Sequence, residues 1–241
     1  MKQPIDLSLI LPCYNEEPIF AESVRRIIQI LSLSRITYEI IFVDDKSRDK
    51  TRQLIQKACT KYPNSKALYH TVNKGRGKTV TDGMKEARGT VVGYIDIDLE
   101  VSPVYIPMLV GMILENKADV VIGKRMYRTR IQSMPREILS FGYQWLSNYL
   151  IGTGNVDTES GYKFFNREKI LPILGLTRHP HWFWDTEIMV LVKRKGLRIM
   201  EVPVLFLRRF DKTSSVRIFR DSIDYMKSLL AFKKRLEKMK F

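Results

Sequence analysis

An α/β fold built on a mostly parallel, helix-covered sheet is what this chain predicts, and three observations carry the prediction. Short runs rich in β-branched and aromatic residues alternate with segments whose apolar positions recur every three to four residues. The runs end in polar residues instead of hairpin turns. With 241 residues, 44% of them hydrophobic, the chain is long enough for one large core. Strict alternation of this kind implies right-handed crossovers between parallel strands.

The elements follow in order. Asp6 to Pro12 is an apolar run closed by proline, the first strand. Asn15-Glu16-Glu17-Pro18 then opens a helix carrying Ile19, Phe20, Val24, Ile27, Ile28 and Leu31 on one face. Tyr38 to Val43 is a second strand ending in Asp44-Asp45, and Asp49 is placed to cap the next helix through Leu54, Ile55 and Ala58. Lys66 to Thr71 reads as the third strand and Gly75 to Ala87 as a helix entered through glycines. The fourth strand begins at Val91 and ends at Asp96, in the run Asp96-Ile97-Asp98. Pro103 to Asn116 is helical, Asp119 to Gly123 is the fifth strand, and Glu201 to Val204 is a later one.

In such sheets ligands gather beyond the carboxyl ends of the strands. Here the first end offers Pro12-Cys13-Tyr14-Asn15-Glu16, the second Asp44-Asp45, the fourth Asp96 and Asp98, and the fifth Lys124-Arg125. Asp96 and Asp98 are two apart, so an extended chain projects both carboxylates the same way. A divalent cation with oxygen ligands relieves their repulsion; a solvated turn whose acids cap the following helix is the plainer reading. No G-x-G-x-x-G follows the first strand, which argues against a dinucleotide fold. Gly75-Arg76-Gly77-Lys78 lacks P-loop spacing, and its glycines suit a tight turn.

Composition excludes some classes. Cys13 and Cys59 are too few for a disulfide framework. Lys2, Gln3, Pro4 and Asp6 interrupt any secretory leader, and no uninterrupted apolar run of about 18 residues marks a membrane span. The net charge of +15 is uneven. Residues 1–123 carry 17 Lys/Arg against 15 Asp/Glu, whereas residues 124–241 carry 24 against 11. The second half is expected to face an anion: a phosphorylated substrate, an anionic membrane or nucleic acid.

The ordered set PCYNEE, VDDKSRDKT, NKGRGK, DIDLE, GKRM and DTESGYKFF resembles the family 2 glycosyltransferases of GT-A fold, in particular the dolichyl-phosphate mannose or glucose synthase type. The resemblance covers roughly residues 6 to 217. It implies that Asp96, Asp98 and Glu100 hold Mg2+ or Mn2+. It also implies that Pro12, Tyr14, Glu16, Val43, Asp45, Asp96, Ile97, Asp98, Glu100, Arg125 and Arg209 bind a nucleotide-sugar, and that Asp98, Arg125 and Arg136 carry the catalysis. Arg136, Asp157 and Ser160 fall on the acceptor side. The family usually has Phe-Arg where this chain has Tyr162-Lys163, and its lysine after Arg209 falls near Ser214-Ser215, where Lys212 or Arg217 would have to substitute.

The chemistry suits these residue types. Cleaving the bond from an anomeric carbon to a diphosphate leaves negative charge that a metal stabilises without proton transfer. A lipid phosphate, largely dianionic at neutral pH, is already a nucleophile. Arginines, not a general base, would bring the two anions together. The expected reaction is inverting hexose transfer from GDP-mannose, UDP-glucose or UDP-N-acetylglucosamine to a polyprenyl (dolichyl) phosphate. A soluble glycan or protein acceptor is the nearer alternative, and a basic nucleic-acid-binding protein the alternative of another class.

Two further readings complete the expectation. Trp184-Asp185-Thr186-Glu187 opens a helix, lining a sugar pocket or capping the helix; His179 and His181 read as loop residues. Residues 1–215 form the GT-A domain, with an amphipathic helix at 136–151, and residues 216–241 form a basic amphipathic helix. These helices would dock peripherally on the cytoplasmic face of a membrane; packing into a homodimer or against a membrane-protein partner is the other use of such faces.

Overall fold

The computed structural model of the chain describes residues 4–127, 147–152, 154, 156–207 and 218–239. Its elements are β1 (Leu7–Cys13), α1 (Phe20–Leu33), β2 (Tyr38–Asp44), α2 (Thr51–Lys61), β3 (Ser65–Tyr69), α3 (Arg76–Lys85), β4 (Val91–Ile95) and a 3-10 turn (Pro103–Tyr105). There follow α4 (Ile106–Leu114), β5 (Val120–Tyr127), β6 (Tyr162–Asn166), α5 (Arg167–Leu174), α6 (Trp184–Arg194), β7 (Ile199–Phe206) and α7 (Ile218–Leu236). Residues 147–151 are also helical.

Among the described residues the strands form a seven-stranded sheet in the order β3-β2-β1-β4-β6-β5-β7. Neighbours β1, β2, β3 and β4 run parallel, as do β5 and β7, while β6 is antiparallel to both β4 and β5. Alternating side chains send Leu9, Leu11, Phe42, Val91 and Val121 to a layer filled by α1, α2 and α4. Ile10, Ile41, Val43, Val92 and Ile122 face the layer filled by α3, α5, α6 and α7. Both faces are therefore covered, which is why the strands read as near-continuous apolar runs.

The expected alternation lacked β6. This strand enters between β4 and β5, with Tyr162 and Phe164 on one layer and Phe165 on the other. Gly93 of β4 lies opposite Phe164, and a β-carbon there would overlap the phenyl ring. The fifth strand also runs past its expected end at Gly123. Arg125 is consequently a strand residue, in register with Val204 of β7.

On the second layer α7 buries Leu229, Phe232 and Leu236, with Phe232 and Tyr225 edge-on to Phe183. Arg235 pairs with the buried Glu187 of α6. No described helix is long and apolar enough to cross a membrane.

Candidate active site

The carboxyl ends of β1, β2 and β4 meet on one side of the sheet, and the loops leaving them are tied together. After β1, the amides of Asn15, Glu16 and Glu17 donate to Ser47 Oγ, Thr51 Oγ1 and Asp49 Oδ2 at 3.0, 2.7 and 3.0 Å. Asn15 Oδ1 accepts in return from the amide of Arg48 at 2.8 Å. Asp49, expected to cap α2, instead precedes the N-cap Lys50, which has no side-chain cap bond; its carboxylate accepts the Thr51 amide at 3.0 Å and so fastens the β1 loop to the start of the helix. Asn15, Lys46 and Leu99, one in each of these three loops, have positive φ of 55°, 65° and 53°. Side chains adopt that region at a steric cost, which a functional site tolerates when its surroundings enforce it.

The predicted nucleotide residues divide. Tyr14 is exposed and Glu16 half-buried at the end of β1, whereas Val43 is core. Asp45 is buried. Its Oδ1 accepts the Lys74 amide at 2.7 Å and lies 2.7 Å from His70 Nδ1; its Oδ2 accepts the Gly75 amide at 2.8 Å. The carboxylate thus organises the turn into α3. That turn needs its glycines: Gly75 has φ of 88°, and a β-carbon on Gly77 would overlap Trp184.

At the end of β4, Asp96 Oδ1 accepts from Arg76 Nε at 3.0 Å and Nη2 at 2.7 Å. Arg76 Nη1 donates to Asp185 Oδ2. The guanidinium lies 5.4 Å from the Tyr94 ring and 5.2 Å from the exposed Trp182 ring. Asp98 Oδ1 accepts the Glu100 amide at 3.3 Å, and both residues line a cavity of about 360 Å3 with Arg26, Tyr105 and Leu207. Ile97, between Asp96 and Asp98, is buried.

The oxygen donors suit a hard divalent cation, which commonly takes one or two carboxylates and completes its shell with substrate phosphates. Asp96 and Asp98 are the carboxylates that fit this pattern. Among the described residues, however, no group of three His, Cys, Asp or Glu side chains converges into a cation cage. The three carboxylates expected from the sequence stand in two settings: Arg76 donates to Asp96, while Asp98 and Glu100 line the cavity.

On the acceptor side the predicted residues do converge. Arg125 Nε and Nη2 form a forked pair with Asp157 at 2.9 and 2.8 Å, and the Arg125 amide donates to the same carboxylate at 3.2 Å. Arg125 Nη2 reaches Glu159 Oε2 at 3.5 Å. Ser160 Oγ donates to the Gly123 carbonyl at 2.6 Å, pinning the 157–160 loop to β5. Lys163 of β6 is wholly buried and donates to the carbonyls of Thr158, at 3.0 Å, and Ser160, and to Asp185 Oδ1 at 2.8 Å. Arg136, Arg209, Lys212, Ser214, Ser215 and Arg217 lie outside the described residues, as does most of the 136–151 helix.

Electrostatics follow from this burial. Burial pushes Asp185 up, but Arg76, Lys163 and the Tyr94 hydroxyl outweigh it and hold the carboxyl below its ordinary range. Burial likewise raises Asp157, and the Arg125 guanidinium reverses the shift. Glu159 is different, because burial prevails over Arg125 and leaves its carboxyl raised. The Lys163 ammonium is lowered by burial despite Asp185.

Sequence reasoning missed Arg76, Lys163 and the true place of Asp185. Trp184, Asp185, Thr186 and Glu187 are all buried, and none caps α6, whose N-cap Phe183 has no side-chain cap bond. Trp184 packs edge-on to Tyr94 in the core, while Glu187 Oε2 accepts the amides of Arg178 and His179 at 3.0 and 2.8 Å. His179 Nε2 meets Ser228 Oγ of α7 at 3.1 Å. An arginine between two glycines was the one local hint of Arg76.

Comparison with known proteins gives these likenesses. Residues 8–174 match the profile of Glycosyl transferase family 2. A dolichyl-phosphate beta-glucosyltransferase of Trichomonas vaginalis is 30% identical over 208 residues, covering 82% of this chain and 64% of that protein. A dolichol-phosphate mannosyltransferase of Pyrococcus furiosus is 32% identical over 205 residues, 83% of this chain and 56% of that one. Glycosyltransferase AglD of Haloferax volcanii is 28% identical over 204 residues, 83% and 33%. The chain therefore spans from a third to just under two thirds of these relatives' lengths. Among solved structures, glucosyl-3-phosphoglycerate synthase from Mycobacterium tuberculosis with Mn2+ and UDP-glucose superposes with a TM-score of 0.71 at 21% identity, covering 94% of this chain and 78% of that one. Mannosyl-3-phosphoglycerate synthase from Rubrobacter xylanophilus gives 0.74 at 19% identity, covering 97% and 75%. These two likenesses show the GT-A fold.

Proposed function

Since this chain belongs to glycosyl transferase family 2, matched over residues 8–174, we propose that it transfers a hexose from a nucleotide-sugar to a polyprenyl phosphate with inversion. The observation that carries the reading is the placing of an acidic strand end, Asp96 and Asp98, and a forked Arg125–Asp157 pair at the same end of the sheet, on strands separated by β6. The named relatives include dolichyl-phosphate glucosyl and mannosyl transferases, which supports the acceptor class.

In this reading Asp96, Asp98 and Glu100 would hold Mg2+ or Mn2+, and Tyr14, Glu16 and Asp45 would bind the nucleotide. The cation, when bound, offsets charge on the departing diphosphate. Arg125 presents positive charge to the acceptor phosphate, and Asp157 fixes the plane of its guanidinium through two parallel bonds. By sequence position Arg136 is assigned to the acceptor phosphate and Arg209 to the nucleotide-sugar. Asp185 does not serve as a base: both its oxygens are engaged by Arg76, Lys163 and Tyr94, and its carboxyl is held ionised. A phosphate acceptor needs none, since its second ionisation lies near pH 6.

The protein is proposed to reach its lipid as a peripheral protein on the cytoplasmic face. The outward side of α7 presents Lys227, Leu230 and Lys234, and Lys238 follows the helix; all four are exposed, which supports contact with anionic headgroups.

The test is a transfer assay. Purified protein with Mn2+ or Mg2+ is incubated with UDP-glucose, GDP-mannose or UDP-N-acetylglucosamine and a short polyprenyl phosphate, and lipid-linked sugar is scored. Product with one donor, lost in Asp98→Ala, is expected. Absence of lipid-linked product with every donor, alongside transfer to a soluble acceptor, would overturn the lipid assignment.

A further inference from the structure

One guanidinium at the start of α3 serves two acids. Arg76 gives two N–H groups to Asp96 Oδ1 and a third to Asp185 Oδ2. Its side chain is 12% exposed, against 39% for Asp96 and 5% for Asp185. The second oxygen of Asp185 is taken by Lys163 and the Tyr94 hydroxyl. The cluster thus holds two cations and two carboxylates, and Asp96 is the carboxylate that opens to solvent.

This arrangement bears on any cation that Asp96 binds. A divalent ion approaching Asp96 meets a carboxylate already carrying a fixed positive charge, and like charges a few ångströms apart in a poorly solvated setting repel strongly. How much of the Arg76 charge falls on Asp96 depends on its other partner. Asp185 is buried, fixed by two further donors, and cannot follow Arg76 if that side chain moves. It therefore acts as a stationary counter-charge.

We propose that Asp185 sets the divalent-cation affinity of the β4 carboxylates by offsetting part of the charge of the Arg76 guanidinium that it shares with Asp96. Asp185 is a positioning residue here, since it acts through Arg76. The proposal rests on the reading of Asp96 as a cation ligand. It separates two effects that a transfer assay would merge: the strength of the cation site and the chemistry that follows.

The experiment titrates Mn2+ into the full chain without donor and reads free Mn2+ by electron paramagnetic resonance. Wild type is compared with Asp185→Asn, Arg76→Gln, the double variant and Asp96→Asn, with circular dichroism confirming the fold. Asp185→Asn should bind Mn2+ on the order of tenfold more weakly, because the whole guanidinium then falls on Asp96. Arg76→Gln should bind more tightly than wild type, and the double variant should regain at least wild-type affinity. Wild-type affinity in Asp185→Asn, with binding lost in Asp96→Asn, would overturn the proposal and leave the cation site standing. Unchanged binding in Asp96→Asn would overturn the cation site itself. Should Asp185→Asn fail to fold, Asp185→Glu, which keeps the charge but displaces it from Arg76, is read in its place: weaker Mn2+ binding than wild type supports the proposal, and wild-type binding overturns it.

Discussion

The α-carbon of Gly161 lies against the carboxylate of Asp96, and the Asp96 amide donates to the Gly161 carbonyl at 3.2 Å. A β-carbon on Gly161 would overlap Asp96 Oδ2 and Cγ and crowd Arg76 Nη2. The glycine ahead of β6 is therefore what lets the acid after β4 keep its place. Gly161→Ala is expected to push the carboxylate out and to lower sugar transfer by at least about tenfold, equivalent to roughly 1.4 kcal/mol in the barrier. Because Asp96 sits at the rim, the thermal midpoint should change little. Wild-type turnover in this variant would show that the position of Asp96 is immaterial.

Lys163 is the second point at which β6 controls the site. Its ammonium is fully buried among the Thr158 and Ser160 carbonyls and Asp185, so all three of its N–H groups are used. Lys163→Met leaves those acceptors and a buried carboxylate without their cation, a change that costs about 3–5 kcal/mol when a buried pair is broken. Chemical denaturation should report a loss of that size. A loss no larger than the roughly 1 kcal/mol of an exposed pair would mean that water reaches the cluster.

These two residues also mark the limit of what the sequence discloses. The strand ends were legible because period-two apolar runs stop abruptly at charged residues, as in Val91 to Asp98, and that pattern is local. β6 was not, since Lys163 interrupts its apolar run and a buried lysine reads as a loop until Asp185, 22 positions later, is brought beside it. Asp185 in turn read as lining a sugar pocket or capping a helix, since acids favour first turns. Its partner Arg76 lies 109 positions earlier, and no local pattern joins the two. Arg125 and Asp157 were named from the resemblance, yet their forked pairing depends on β5 continuing beyond Gly123.

Glu159 supplies a test by pH. Burial raises its carboxyl above the ordinary glutamate value, ahead of the opposing pull of Arg125. An acid whose folded value is raised carries no penalty below the unfolded value, because it is protonated in both states. Above the folded value it is ionised in both, and the folded state bears the cost of the buried charge. Glu159→Gln is therefore expected to raise the thermal midpoint at pH 7.5 and leave it unchanged at pH 4. A drop at pH 7.5 would mean that the Arg125 pairing outweighs burial.

The C-terminal helix has two faces that predict opposite behaviour. Tyr225, Leu229, Phe232 and Leu236 point into the second core layer, where Phe183 and α6 meet them, and the Tyr225 hydroxyl lies 2.8 Å from Thr186 Oγ1. Leu229→Ala should then destabilise the protein by about 2–5 kcal/mol, as other buried leucines do. A helix that leaves the domain to lie in lipid would feel no such loss. The opposite face, with Lys227 and Lys234, contributes nothing to that core, so Lys227→Glu with Lys234→Glu should leave stability within about 0.5 kcal/mol. The same pair of changes should weaken co-sedimentation with anionic vesicles, since each lysine near such a surface contributes roughly 1 kcal/mol. Vesicle binding untouched by both reversals would place the membrane contact elsewhere on the chain, and a stability loss from them would mean that this face is packed and not free to dock.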